Sequence, residues 1–406
     1  MKVLLVNTSE RTGGAAVACR RLMEALNKHG VEARMLVRNR YGKWHFLWER
    51  FCIWAAKHFD KQYLFDVDIA NAGTAITRLP EFREADVIHL HWVNQGMLSL
   101  KGLGKILASG KPVVWTMHDM WPCTAICHHA RSCTYYRKEC HNCFYLNGGR
   151  KENDLSYRIF HKKLTTYRLG AISFVACSRW LQELAEKSRL TDGHSVCNIP
   201  NPLNTSIFCP GDKQAARRQL ALPLDRKLIL FSSVKVTDKR KGIDYLTEAC
   251  RLLADEHPEL KEEIAIAVLG NGAEQLESLL PFPVYPLSYI SEEQTLAHVY
   301  RAADLFVTPS LQENLPNTLM EAMACGTPCV GFCIGGIPEM IDHGTNGYVA
   351  KYRSAADLAR GMLHILSATD YDTLCKEAVR KAHTEYSEAN VVRQYIQLYN
   401  HLIEKK

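Results

Sequence analysis

Two rhythms of apolar and polar residues run along the chain. KVLLVN (2–7) is an apolar run, followed by a glycine-containing turn at Thr12, Gly13 and Gly14, helical spacing from Ala15 to Lys28, a stop at Gly30 and a second run, EARMLV. This predicts a βαβ opening. DVIHLHW (86–92), PVVWTMHD (112–119) and SFVACS (173–178) are near-continuously apolar, as buried parallel strands are. IPNPLNTSIFCPG (199–211) has three prolines and no helical period, which predicts an interdomain linker. The alternation then restarts: KLILFSSV (227–234), EIAIAVLG (263–270), DLFVTPS (304–310) and PCVGF (328–332) read as strands, with helical segments near 242–256, 291–303 and 317–325. The predicted class is α/β, with two Rossmann-like doubly wound domains, 1–200 and 201–386, facing a central cleft. A C-terminal helix within 387–406 is placed to cross back to the first domain.

Length and composition narrow the classes. With 406 residues, 47% of them hydrophobic, the chain can bury cores in about two domains. No run of 18 apolar residues occurs, and the N-terminus turns polar too early for a secretory leader, so a cytoplasmic protein is expected. The fifteen cysteines are scattered through a long chain and read mostly as thiols rather than a disulfide framework. Charge is uneven: residues 1–200 carry 29 Lys and Arg against 17 Asp and Glu, or +12, and the remainder 21 against 26, or −5. The first half is the one expected to meet an anionic partner. No recognition motif accompanies that charge, so no nucleic-acid partner is expected. A nicotinamide dehydrogenase is disfavoured too: the first turn lacks G-x-G-x-x-G, and Arg38 stands where an acidic residue would end the second strand.

The densest chemistry lies in PSLQENLPNTLMEAMACGTP (309–328). Pro316 suits a first helical turn and Gly326 a helix stop, which puts Glu313 in a loop and Glu321 one turn into a helix. Each carboxylate can accept a pair of hydroxyl hydrogen bonds of the kind sugars and riboses offer. The competing reading is one carboxylate favouring the helix dipole and one exposed surface glutamate.

This region, with GGIPE (335–339), resembles the E-x7-E region of retaining GT-B glycosyltransferases of family four. The resemblance extends over Gly13-Gly14 and its helix, TMHD (116–119), ACSRWL (176–181), IPNPLNTSIF (199–208), KGID (241–244), GNG (270–272) and AADLFVTPS (302–310). The most similar enzymes build bacterial capsular or extracellular polysaccharide. The resemblance implies transfer of a hexosyl group from a nucleoside diphosphate sugar to a glycan hydroxyl, with a lipid-linked acceptor and retained configuration. Glu313 would hold the donor sugar's hydroxyls and Glu321 the ribose. Lys241 would neutralise the diphosphate, and Gly13 and Gly14 would bring backbone N–H groups to it. His118 would contact the transferred sugar, with Glu313 as its catalytic counterpart. Asp119 either orients His118 or meets the acceptor. A leaving phosphate oxygen would take the acceptor proton, so neither a protein nucleophile nor a catalytic metal is expected. The alternatives are a catalytically silent sugar-nucleotide-binding partner and a same-fold epimerase or phosphorylase. Against silence stands the joint presence of His118, Lys241, Glu313 and Glu321.

Three positions depart from the family pattern. Val236 stands where a phosphate-binding arginine is usual, leaving Arg240 or Lys235 as the substitute; ENLPN replaces a glycine-rich loop; Asn204 replaces an Asp.

Two further stretches stand out. CHHARSCTYYRKECHNC (127–143) spaces Cys127, Cys133, Cys140 and Cys143 as C-x5-C-x6-C-x2-C, a set that can complete a tetrahedral zinc shell, and a structural zinc is expected over free thiols. KWHFLWERFCIWAAKHF (43–59) puts Trp44, Leu47, Trp48, Phe51 and Ala55 on one helical stripe, with Arg50 and Lys57 elsewhere. Such a stripe either packs on the domain's own sheet or lies against the inner membrane surface.

Overall fold

The computed structural model describes residues 1–38, 42–146 and 152–405. The chain divides into two compact units: Met1–Pro202 with Val391–Lys406, and Leu203–Asn390. The division falls inside the proline-rich segment 199–211.

The first unit is built on six parallel strands: β1 (Lys2–Asn7), β2 (Glu32–Val37), β3 (Val87–Leu90), β4 (Val113–Met117), β5 (Ser173–Ala176) and β6 (Ser195–Asn198), in the order β2-β1-β3-β4-β5-β6. Alternate residues of each strand face opposite cores. Leu4, Val6, Ile88 and Trp115 enter one cluster. Val3, Leu5, Val87 and Val114 enter the other, where Val391, Val392, Tyr395 and Tyr399 of the helix Glu388–Glu404 join them. With helices on both faces, the strands carry no polar side, which explains their unbroken apolar runs.

The second unit repeats the plan with β7 (Lys227–Lys235), β8 (Ile264–Asn271), β9 (Val284–Leu287), β10 (Leu305–Thr308), β11 (Cys329–Phe332) and β12 (Gly347–Ala350), all parallel, in the order β12-β11-β10-β7-β8-β9. Each sheet reverses its strand order at one point, between β1 and β3 in the first and between β7 and β10 in the second. Ligands of open α/β sheets bind at the carboxyl ends of strands beside such a reversal.

Three strands escape the pattern-based reading: β6, β9 and β12. Each has four residues and lies at a sheet edge, where half-burial dilutes the apolar signal, and β9 contains Pro286, which an edge tolerates.

Of the two readings of its aromatic stripe, the helix Gly42–Ala56 does not follow inward packing. Glu49, Arg50 and Ile53 are its buried side, whereas Trp44, Leu47, Trp48 and Phe51 are 72%, 54%, 55% and 50% exposed. A buried ionic cluster causes the inversion: Arg50 pairs with Asp68, and Glu49 accepts from the Ile69 and Ala70 N–H groups at 2.8 and 2.6 Å. Lys57 is buried as well, donating to the Tyr145 carbonyl. Among the described residues no helix is long and apolar enough to cross a membrane.

Candidate functional site

In the second unit the expected donor residues gather at the strand-order reversal. The loop after β7 carries Arg240 and Lys241, and the loop after β10 carries Glu313. The loops are tied together by the Leu311 N–H donating to the Arg240 carbonyl at 2.8 Å. Gly242 makes this closeness possible: it is left-handed at φ 75°, and a Cβ there would lie 1.8 Å from the Pro309 carbonyl oxygen. Lys241 and Glu313 form an ion pair, with side chains 36% and 13% exposed. From the β11 side the Gly336 N–H donates to the Asn314 carbonyl at 2.7 Å, fixing the backbone that bears Glu313.

Pro316 is the residue preceding the helix Asn317–Ala324, one position earlier than its spacing suggested. Glu321 is 5% exposed and accepts from the Tyr300 hydroxyl at 2.8 Å, so it is not a surface glutamate. Arg240 is exposed and its guanidinium forks onto Asp238, with Nη2–Oδ2 at 2.8 Å. Val236 is fully buried in the core and offers no phosphate contact.

In the first unit Gly13 precedes the helix Gly14–Lys28 with φ 91°, and both glycines are exposed. His118 and Asp119 follow β4. The His118 Nε2 lies 3.0 Å from His91 Nδ1, and the two rings stack with centroids 5.3 Å apart. Behind them His89 contacts the Tyr399 hydroxyl at 2.7 Å and the Thr116 hydroxyl at 2.7 Å, and Thr116 in turn meets the Tyr395 hydroxyl at 2.8 Å. Burial keeps all three imidazoles neutral: His118 is pushed down to about 4, partly offset by Asp119, His89 to about 3, and His91 well below its ordinary value.

The Asp119 carboxylate accepts from Trp92 Nε1 at 2.8 Å, from the Trp121 N–H at 2.8 Å, and bonds His128 Nδ1 at 2.7 Å. His128 Nε2 then meets Asp68 at 2.7 Å. Burial alone would discharge His128, but the two carboxylates raise it to about 10, an imidazolium bridging Asp119 and Asp68. Asp119 thus anchors the segment that follows it.

That segment has only short 3-10 turns between β4 and the helix Leu155–Tyr167 among the described residues. Cys127, Cys133, Cys140 and Cys143, with His141, line one pocket, all four as free thiols. Among the described residues no three or more His, Cys, Asp or Glu side chains are already drawn together as a metal shell. Lys163 is fully buried beside them, donating to the Trp121 and Thr124 carbonyls at 2.6 and 2.9 Å with its ammonium 3.2 Å from the Trp121 ring centroid. Burial lowers it to about 7, against the upward pull of Cys123, Cys127 and Cys140.

Sequence reasoning passed over His89, His91, His128, Lys163, Tyr300, Tyr395 and Tyr399. A signal existed for the first two: histidines at i and i+2 on one face of an otherwise apolar strand.

Two six-stranded parallel α/β units, with ion-paired and buried polar residues at their strand ends, define the GT-B class of fold. Sucrose-phosphate synthase from Thermosynechococcus elongatus superposes with a TM-score of 0.67 at 19% identity, covering 100% of both chains. Anabaena HepE, solved with UDP and glucose, gives 0.64 at 17%, covering 99% of this chain and 100% of its own. Residues 12–207 match the family model described as Glycosyltransferase Family 4, and residues 226–368 the model described as Glycosyl transferases group 1. Between them these two matches take in most of the chain, so each unit is similar to a glycosyltransferase domain. A D-inositol 3-phosphate glycosyltransferase of Thermobispora bispora is 32% identical over 197 residues, and one of Geodermatophilus obscurus 34% over 184. These alignments take in 45% and 42% of this chain and 46% and 40% of the relatives, so under half of each is matched.

Proposed function

We propose that the protein is a retaining glycosyltransferase that moves a hexosyl group from a nucleoside diphosphate sugar to a hydroxyl of a lipid-linked glycan in polysaccharide assembly. The observation that carries this reading is the Lys241–Glu313 pair at the reversal of the second sheet, with buried Glu321 on the helix that follows. Without ligand the ammonium neutralises the carboxylate. A diphosphate competes for Lys241 and releases Glu313 to accept sugar hydroxyls, while Glu321, oriented by Tyr300, takes the ribose. HepE, solved with UDP and glucose and with UDP-glucose, supports a sugar-nucleotide donor.

In the transfer the bond from the sugar's anomeric carbon to the diphosphate oxygen breaks, the acceptor oxygen bonds that carbon on the same face, and the acceptor proton passes to the leaving phosphate. His118, a neutral imidazole, is assigned contact with the transferred sugar rather than a charge. Positioning and charge stabilisation supply the rate. Arg240 is assigned to the diphosphate on leaving Asp238, and Gly13 and Gly14 keep the backbone N–H role that the resemblance implies.

The exposed stripe of Trp44, Leu47, Trp48 and Phe51 suits docking on the cytoplasmic face of a membrane, where a lipid-linked acceptor resides. Arg50 and Lys57 are buried and take no part; Lys43, at the start of the helix, is exposed.

Calorimetry against UDP-, GDP-, ADP- and dTDP-sugars, with sugar release followed by mass spectrometry, tests the reading. One nucleotide sugar should bind and be turned over when lipid-linked acceptors are supplied. Binding with no sugar release under those conditions would instead identify a silent sugar-nucleotide-binding partner.

A further inference from the structure

Residues 118–146, which follow β4, have little regular hydrogen bonding, and they are pinned by the Asp119–His128–Asp68 bridge and by the Cys143 N–H donating to Asp154 at 2.7 Å. Its middle contains four thiols around one pocket. Beside it the Thr124 hydroxyl donates to the Cys127 carbonyl, fixing the backbone that bears this thiol. The buried Lys163 side chain lies beside the pocket, donating to the Trp121 and Thr124 carbonyls, and makes no ion pair among the described residues.

We infer that Cys127, Cys133, Cys140 and Cys143 bind one zinc ion as a closed structural site. A soft set of four thiols lining one pocket matches tetrahedral Zn²⁺, and a protonated Lys163 would partly offset the double negative charge of such a centre. Among the described residues the four sulfurs are not drawn together as a shell, so binding the ion requires the segment to close around it, with Cys133, the exposed member, coming in from the surface. Four S–H bonds are exchanged for four Zn–S bonds, four protons go to solvent, and no electron moves. The site staples the segment that Asp119 anchors. It is independent of the proposed transferase activity.

The test is metal analysis of the full chain purified without chelator. Plasma mass spectrometry should find about one zinc per chain, and a mercurial thiol reagent should release it to a chelating dye. The double variant Cys140→Ser, Cys143→Ser should lose it, and Cys209→Ser, outside the cluster, should retain it. Because the wild-type content is read directly, a variant that fails to fold does not decide the matter. Metal-free protein with four titratable thiols, a mass deficit showing disulfides, or iron in place of zinc would each overturn the inference.

Discussion

At the scale of single residues, the two glutamates differ in what they stand to lose. Glu321 is buried and oriented by Tyr300, so Glu321→Ala should weaken nucleotide affinity roughly 10- to 100-fold, the loss of charged hydrogen bonds worth about 1.5–3 kcal/mol. Glu313→Gln keeps its shape but frees Lys241, so turnover should fall while nucleotide binding is held or strengthened. Titration calorimetry and initial rates separate the two, and unchanged activity in both variants would remove the two-carboxylate account. The stacked histidines give a pH prediction. In an unfolded chain these imidazoles charge below about 6.5, whereas in the fold His118 stays neutral to about 4. Their burial therefore contributes stability fully above pH 6.5 and loses it as pH falls towards 4. Imidazole NMR signals of His118 and His91 should not move between pH 8 and 5; a midpoint near 6.5 would mean that the rings are solvated.

At the scale of elements, the C-terminal helix is keyed to the first sheet by polar contacts as well as by apolar ones. Tyr399→Phe deletes one hydroxyl and leaves a buried His89 nitrogen unmatched, which should cost about 1–3 kcal/mol in denaturant unfolding of the first unit. Little or no shift in midpoint would mean that water substitutes. Such pairings were not legible beforehand. The apolar runs disclosed the central strands because burial on both faces leaves them no polar positions. They said nothing of the pairing of His89 with Tyr399, 310 residues away. Helix Gly42–Ala56 was legible as a helix but not in orientation: periodicity shows that a stripe exists, and the buried Arg50–Asp68 pair decides which side turns inward. The candidate donor residues were legible through their motifs, yet the Lys241–Glu313 pairing was not, because it depends on two loops brought together by strand order.

At the scale of the whole molecule, charge and apolar surface make different predictions about the membrane. If the +12 balance of residues 1–200 dominated, binding to vesicles would collapse with salt. The exposed aromatic stripe, flanked by few exposed bases, predicts instead that flotation with vesicles containing anionic lipid survives 0.5 M salt, about the range where screening is short. The double variant Trp44→Ser, Trp48→Ser should reduce it by about tenfold or more, since each buried aromatic carries a large apolar area. Wild-type protein that stays out of the vesicle fraction at low salt would dismiss the docking surface.

The path of the chain through its two units sets an order of events during synthesis. Tyr395 and Tyr399 complete the core of the first unit, yet a ribosome makes them after every residue of the second. Leu203–Asn390 can therefore finish folding first, while the earlier half waits for the tyrosine hydroxyls that His89 and Thr116 bond. Domains usually mature in the order in which they emerge. Here the order is reversed, and released chains truncated after Asn390 should resist protease in the second unit while the first is cut.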